Sequence, residues 1–445
     1  MTIHTVTQGE TIGSIAKKYG IPAELIIREN LLTSPDELVV GESLLIFQPR
    51  VVYTVRKGDT LDSLTKLFGL SKNELWQMNP LLRGRDELIV GQELIIEYAE
   101  PRLGDLVTVG YIYSDTNQDV LRQILPYLTR LSIEPTDEMT PETEAELIRL
   151  AKEYQAEAIR FYPMLPENKS FEEIAADAAA KGYAGVECGS CREEAVCSPL
   201  RDALLKEGLY LITDLYREDT QGGCDGPLYL VTYDYGEGAP GPYAPQNRVR
   251  TQAEAAVERF PAAPITLGYP GFARAWTVPF ETGGGQYFIP NTDAVPLARE
   301  HGAVIEYDPE SAMLHFTFPF GDTGEDIEVW YADARTAKEA LDTVSDLGLE
   351  GFGVWKTLVF NPQLWQLVNI LYKIQKTMNN SYNQWKNAND SFGIVDTRND
   401  NTLLVDDMVD SDWTFTCCGY KMKKAGNGNV FPFALANSAG KGSDK

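Results

Sequence analysis

The chemistry in this sequence concentrates in the stretch Lys181-Gly-Tyr-Ala-Gly-Val-Glu-Cys-Gly-Ser-Cys191. It reads as a short strand bounded by glycines, and alternation puts Glu187, Gly189 and Cys191 on one face. A carboxylate on that face could move a proton as a general acid or base. A thiol there could act as a nucleophile or a metal ligand. The neighbours support neither thiol reading. Cys188-x-x-Cys191, with Cys197 and Cys224, has zinc-like spacing, but alternation turns Cys188 away from Cys191. His4, His301 and His315 fall outside the strand-end pattern that would activate Cys191. No metal and no cofactor are expected. Asp214, Asp234, Glu193 and Glu194 are the other carboxylates to consider, and Glu193 and Glu194 suit a loop cap or solvent.

The elements that must position these residues begin after the linker Glu100-Pro-Arg-Leu-Gly104. Strands are expected at 107–113, 128–134, 157–163, 183–189, 209–215, 228–235, 265–271 and 351–356. Helical stretches separate several of them. The stretch 141–154 carries Leu147, Ile148, Leu150 and Ala151 on one face, and 171–181 and 198–207 follow. Strands and helices in this rhythm predict a (β/α)8 TIM barrel. Residues 277–350 are too many for one connecting helix. Alternation at 303–307, 313–318 and 327–331, then a helix near 336–345, predicts an α+β insertion between strands seven and eight.

Bulk properties narrow the function. The chain has 445 residues and a net charge of −26, which argues against nucleic acid as a partner. No run approaches the ~18 apolar residues of a membrane span. The start, Met-Thr-Ile-His-Thr-Val-Thr-Gln-Gly, lacks the pattern of a secretory signal. The Cys, at 188, 191, 197, 224, 417 and 418, are too sparse for a disulfide scaffold. They fit a reducing compartment at synthesis, with later cross-linking left open.

Before the barrel lies an internal repeat. Val6/Val55, Gly9/Gly58, Thr11/Thr60, Gly20/Gly69 and Asn30/Asn79 stand 49 residues apart. Leu38/Leu88, Gly41/Gly91 and Ile46/Ile96 stand 50 apart, which implies one extra residue in the last loop of the second copy. Each copy spells strand, helix, helix, strand, with Thr11 or Thr60 as a helix cap and Gly20 or Gly69 as a stop. The motif resembles LysM domains: an aromatic or His, Thr-Val, Gly-(Asp/Glu)-Thr-(Leu/Ile), a helix-ending Gly, then Asn. The resemblance implies binding to N-acetylglucosamine polymers, peptidoglycan or chitin. It places the groove on Gly9, Glu10, Thr11 and Ile12 with Asn30, and on Gly58, Asp59, Thr60 and Leu61 with Asn79. The same Gly and Thr also read simply as turn and cap residues.

The barrel carries a second resemblance. Leu230-Val-Thr-Tyr-Asp-Tyr235 followed by Gly-Pro-Tyr-Ala-Pro245, Thr266-Leu-Gly-Tyr-Pro-Gly-Phe-Ala-Arg-Ala-Trp276 and Gly351-Phe-Gly-Val-Trp355 resemble strands six, seven and eight of family 18 glycoside hydrolases. The family's strand-four motif is Asp-x-x-Asp-x-Asp-x-Glu. In register with Tyr183, it places Ala184, Glu187, Gly189 and Cys191 on those acids. The resemblance implies a substrate-acetamide mechanism, in which the Glu protonates the leaving oxygen and the preceding Asp orients the acetamide. Loss of a general acid costs ~10²–10⁴ in rate, and a thiol with an ordinary pKa near ~8.5 is a poor replacement. A non-hydrolytic barrel is therefore expected, with Glu187, Asp214 and Asp234 as candidates for any recruited acid. Tyr233 and Asp234 match the family's acetamide-binding pair and Trp355 its stacking floor, although all three also fit the top of a packed barrel.

The expected organisation is LysM modules at 1–48 and 51–98, a barrel at 104–377 with its insertion at about 277–350, and an unassigned tail at 378–445. In the tail, Leu403-Leu-Val and Trp413-Thr-Phe-Thr-Cys suit a hairpin or partial disorder, and Cys417-Cys418 is a vicinal pair. A LysM pair before such a barrel resembles spore cortex-lytic and germination proteins of endospore-forming bacteria. That implies a glycan-binding protein of the spore envelope or cell wall, with spore-coat proteins as further partners. The rivals are a working N-acetylglucosaminidase and a coat protein whose barrel binds no sugar.

Overall fold

The structure is a computed structural model, and it describes residues 1–113, 117–216, 224, 226–233, 238–281, 285–321, 324–355 and 359–376, with 402–406, 422 and 430–434. The first module consists of β1 (Thr2–Thr5), α1 (Ile12–Tyr19), α2 (Ala23–Glu29) and β2 (Ser43–Ile46). The second repeats it as β3 (Pro49–Thr54), α3 (Leu61–Phe68), α4 (Lys72–Met78) and β4 (Glu93–Tyr98). In each, the two strands pair antiparallel. The expected caps form. Thr11 and Thr60 make capping boxes with Ser14 and Ser63, and Gly20 and Gly69 end the first helix in the left-handed region.

The barrel strands are β5 (Asp105–Ile112), β6 (Arg130–Ile133), β7 (Glu157–Tyr162), β8 (Gly185–Cys188), β9 (Tyr210–Tyr216), β10 (Leu228–Val231) and β11 (Ile265–Pro270). The eighth is Gly351–Trp355, which pairs in parallel with both β11 and β5 and closes the ring. Every strand expected from the sequence is present. The helices between them include α5 (Gln118–Ile124), α6 (Pro141–Glu153), α7 (Phe171–Lys181), α8 (Glu194–Lys206) and α9 (Gln246–Arg259).

The insertion opens earlier than the sequence implies. The chain turns at Gly271, so the stretch read as one strand-seven motif divides between the barrel and a second sheet. That sheet contains β12 (Phe272–Val278), β13 (Gln286–Pro290), β14 (Glu306–Asp308), β15 (Met313–Pro319) and β16 (Asp326–Tyr331), all antiparallel, with α10 (Ala294–Glu300) packed on it. α11 (Ala334–Leu347) leads into β17, the closing strand Gly351–Trp355, and α12 (Pro362–Leu371) follows it.

Both modules pack with the barrel in one compact unit. The first docks on the insertion. Ile305 N–H donates to the Val40 carbonyl at 2.9 Å, Arg299 donates to the Glu37 carbonyl at 2.7 Å and Arg335 to that of Gly41 at 2.8 Å. Val39 joins the insertion's apolar core. The second module docks on the barrel wall, with Gln77 donating to the Pro126 carbonyl at 2.6 Å and Tyr154 to that of Gly84 at 2.6 Å. A separate unit holds residues 377–445 together with 260–263. There Thr402–Asp406 pairs in parallel with Val430–Ala434, so Leu403–Val405 is a strand but not half of the expected hairpin. Residues 413–418 lie outside the described residues.

Candidate functional site

Glu187 points into the barrel from β8 and is 1% exposed. Tyr111 O–H on β5 donates to one carboxylate oxygen and Ser132 Oγ on β6 to the other, the latter at 2.6 Å. The parallel registers explain the cluster. Tyr111 lies opposite Ser132, and Glu187 lies opposite Phe161 on one side and Ile212 on the other. Asp214 enters from β9, also buried, within hydrogen-bonding reach of Glu187. Tyr216 O–H donates to Asp214 Oδ2 at 3.2 Å, while Oδ1 is buried and accepts from no donor among the described residues.

Gly189 gives Asp214 its room. A Cβ on Gly189 would stand 3.3 Å from Asp214 Oδ2, 3.2 Å from the Tyr216 hydroxyl and 2.9 Å from the Pro163 carbonyl. The space beside Gly189 is thus occupied by a carboxyl from the next strand, β9.

The electrostatics follow from burial. Desolvation pushes the Asp214 carboxyl well above the usual carboxylate range, and the Glu187 charge beside it pushes the same way. Burial also raises Glu187, against the hydrogen bonds from Ser132 and Tyr111 that favour its charged form. Two close buried carboxylates cannot both ionise cheaply, so Glu187 and Asp214 titrate as a linked pair.

Aromatic rings wall the site. Trp355, at the end of β17, lies 4.7 Å from Tyr111, 5.4 Å from Phe161 and 6.2 Å from Tyr113, centroid to centroid. Tyr233 is buried, and its hydroxyl lies 3.3 Å from that of Tyr229. The structure therefore brings Glu187, Asp214, Tyr233 and Trp355 to one end of the barrel. Asp234 lies outside the described residues. Ala184 precedes β8, at the opposite end of the strand. Glu193 holds the N-cap position of α8 without a side-chain cap bond, and both Glu193 and Glu194 are exposed.

Cys191 departs from expectation. β8 ends at Cys188, so alternation does not extend to residue 191, and Cys191 turns back to bond Cys188 with a Cα–Cα distance of 5.5 Å. Cys197 is bonded to Cys224. The cross-linking left open from the sequence is present as two disulfides, and the bond to Cys188 replaces the expected opposition of the Cys188 and Cys191 side chains. Tyr111, Ser132, Phe161, Tyr216 and Tyr229 complete the site and were not singled out from sequence. A signal was available for Ser132, a lone hydroxyl in the apolar strand Leu-Ser-Ile.

In the modules, several groove candidates have structural partners. Asn30 bonds the Ile26 and Leu45 carbonyls and accepts from Leu45 N–H; Asn79 does the same with Leu75 and Ile95. Both brace the second helix against the last strand. Glu10 accepts from Thr7 N–H and His4, which lowers its pKa to about 2, with the Thr7 backbone bond the largest cause. Asp59 accepts from Arg56 N–H and the Tyr53 hydroxyl, and is lowered in the same way. Gly9, Thr11, Gly58 and Thr60 stay exposed on their loops, while the Ile12 and Leu61 side chains are buried.

Comparison with known proteins agrees with this architecture. The LysM domain family matches residues 4–47 and 53–97. YdhD of Bacillus subtilis, a protein named as a sporulation-specific glycosylase, is 23% identical over 416 residues, 82% of this chain and 98% of that protein. The cortical fragment-lytic enzyme of Bacillus anthracis is 28% identical over 174 residues, 38% of this chain and 40% of that enzyme. The crystal structure of the spore cortex-lytic enzyme SleL from Bacillus megaterium superimposes with a TM-score of 0.65 at 23% identity, covering 84% of this chain and 99% of that one. The chain thus carries tandem LysM domains followed by a family 18 glycoside hydrolase-like barrel, and it is built along its length like the SleL and YdhD proteins.

Proposed function

We propose that this chain is a glycan-binding protein of the spore envelope or cell wall, whose barrel grips a 2-acetamido sugar without hydrolysing it. The observation that carries this reading is the contrast between Asp214 and Cys191. The carboxyl that would orient an acetamide is restored from β9 into the space left by Gly189. The position of the leaving-group acid holds a sulfur bonded to Cys188. A sugar stacked on Trp355 would offer its acetamido N–H to Asp214 Oδ1, which accepts from no donor among the described residues, and its acetamido carbonyl to Tyr233. The LysM pair would hold the polymer, each module weakly, with avidity where one strand spans both.

Sedimentation of the full-length chain with purified peptidoglycan tests this. Chitotetraose should compete and its fully deacetylated counterpart should not. Equal competition by both, or no sedimentation, would overturn the reading. Trp355→Ala should weaken chitotetraose binding to the barrel about tenfold, near 1.4 kcal/mol.

A second reading has one observation in its favour. Burial and the neighbouring Glu187 push the Asp214 carboxyl well above the usual carboxylate range, so Asp214 could act as a general acid on the same sugar. Release of reducing ends that disappears in Asp214→Asn would select that reading.

A further inference from the structure

Four cysteines surround the strands that carry the carboxyl pair. Cys188 is the last residue of β8, directly after Glu187, and bonds Cys191 in the loop that leaves the strand. Cys197 on α8 bonds Cys224, beyond the end of β9, the strand of Asp214 and Tyr216. The bridges adjoin each other, with Cys224 Sγ 4.0 Å from the Cys191 carbonyl oxygen. Each of the four side chains is at most 1% exposed.

This placement answers a local weakness. β8 has only four residues and runs into Gly189, held by its N–H to the Tyr162 carbonyl at 2.9 Å, and then the exposed Ser190, whose Oγ accepts from Leu165 N–H at 3.2 Å. Strand ends that pass into exposed loop are where local opening begins. Cross-linking the residue after Glu187 into its own loop, and the helix that follows into the chain beyond Asp214, opposes such opening. The bridges close separations of 3 and 27 residues, and the longer closure removes more freedom from the unfolded chain.

We propose that Cys188–Cys191 and Cys197–Cys224 form an oxidative staple, added after synthesis, that holds Glu187 against Asp214 and fixes the mouth of the barrel. The chemistry is thiol–disulfide exchange with a disulfide-bearing oxidant. One cysteine thiolate attacks the oxidant's disulfide and releases its first thiolate. The partner cysteine then displaces the second. Each bridge costs the chain two electrons and two protons, which the oxidant gains as two thiols. The folded protein therefore passes through an oxidising environment, in contrast to the reducing one expected from sparse cysteines. The inference stands apart from the glycan reading, because none of its readouts needs a sugar.

Non-reducing peptide mapping of the full-length protein, taken from its native source, should recover the 188–191 and 197–224 links. Reduction with dithiothreitol should lower the melting midpoint by about 10 °C. It should also speed amide exchange in β8 and β9 while leaving β1 to β4 unchanged. The variant Cys188→Ser with Cys191→Ser should reproduce the β8 part alone. Recovery of these four residues as free thiols, or unchanged exchange in β8 and β9 on reduction, would overturn the proposal.

Discussion

At the end of the barrel where its strands begin, Arg130 is 1% exposed and lies 3.5 Å from Glu350 and 3.9 Å from Glu157, with its guanidinium over the Tyr210 ring. At the end where they finish, Glu187 and Asp214 face each other, held by hydroxyls from Tyr111, Ser132 and Tyr216. Both ends bury charge, and they settle it in opposite ways. Burial disfavours the Arg130 charge, but Tyr210, Glu350 and Glu157 outweigh it and hold the guanidinium above its ordinary pKa. Burial instead pushes the carboxyl pair toward its neutral form. A charge cluster that serves only the fold is neutralised by its opposite. Among the described residues both ends leave buried polar atoms without a partner, Arg130 Nε and Nη2 at one and Asp214 Oδ1 at the other, so what separates them is the sign of the charges: a cation among carboxylates at one end, two carboxylates together at the other. That division matches the way barrels separate stability at one face from binding at the other.

The largest expected effect tests the first end. Arg130→Met should cost about 3 kcal/mol in urea unfolding, because it leaves the half-buried Glu157 and Glu350 without their cation. A loss below about 1 kcal/mol would break the contrast. At the other end, Asp214→Asn should melt no lower than the parent at neutral pH, yet bind chitotetraose about tenfold more weakly. Binding can be read by calorimetry, and a destabilised but fully binding variant would reverse the assignment.

The pH dependence sharpens the same point. The folded pKa of Asp214 is raised, so its favourable contribution is complete below about 3.9, the unfolded value, and is lost as pH rises toward the folded one. The stability difference between the parent and Asp214→Asn should therefore move against the parent from pH 4 upward. The smallest effect has the opposite sign. Glu10 and Asp59 have lowered pKa values in their turns, so their contribution is present above about 4 and is lost as pH falls toward 2. Glu10→Gln and Asp59→Asn should flatten that acid limb slightly, as seen by circular dichroism of the full chain.

The sequence made the scaffold legible and the site only in part. Barrel strands announce themselves as apolar runs between glycines, and the module caps as a Thr ahead of an apolar stripe. Register between neighbouring strands leaves no such mark. Asp214 becomes important only because β8 and β9 align Gly189 beside it, and no spacing along the chain reports that. Cys191 was misplaced because alternation holds only while the strand lasts, and β8 stops at Cys188. The two modules give the same lesson. Val39 and Ile89 occupy equivalent places in the repeat, yet Val39 is 5% exposed against the insertion and Ile89 is 74% exposed. The first module's glycine, Gly41, could not carry a Cβ, which would come 1.9 Å from the Ile305 carbonyl, whereas Gly91 has nothing within 4 Å. Tertiary context separates residues that the repeat makes alike.

Whether the barrel binds without cutting is measured most directly by incubating the full-length protein with purified spore cortex and with chitotetraose, and following bound ligand and new reducing ends together. Saturable binding with no reducing ends above the blank, weakened by Asp214→Asn, is the expected result. Sustained release of reducing ends that Asp214→Asn or Glu187→Gln abolishes would contradict it.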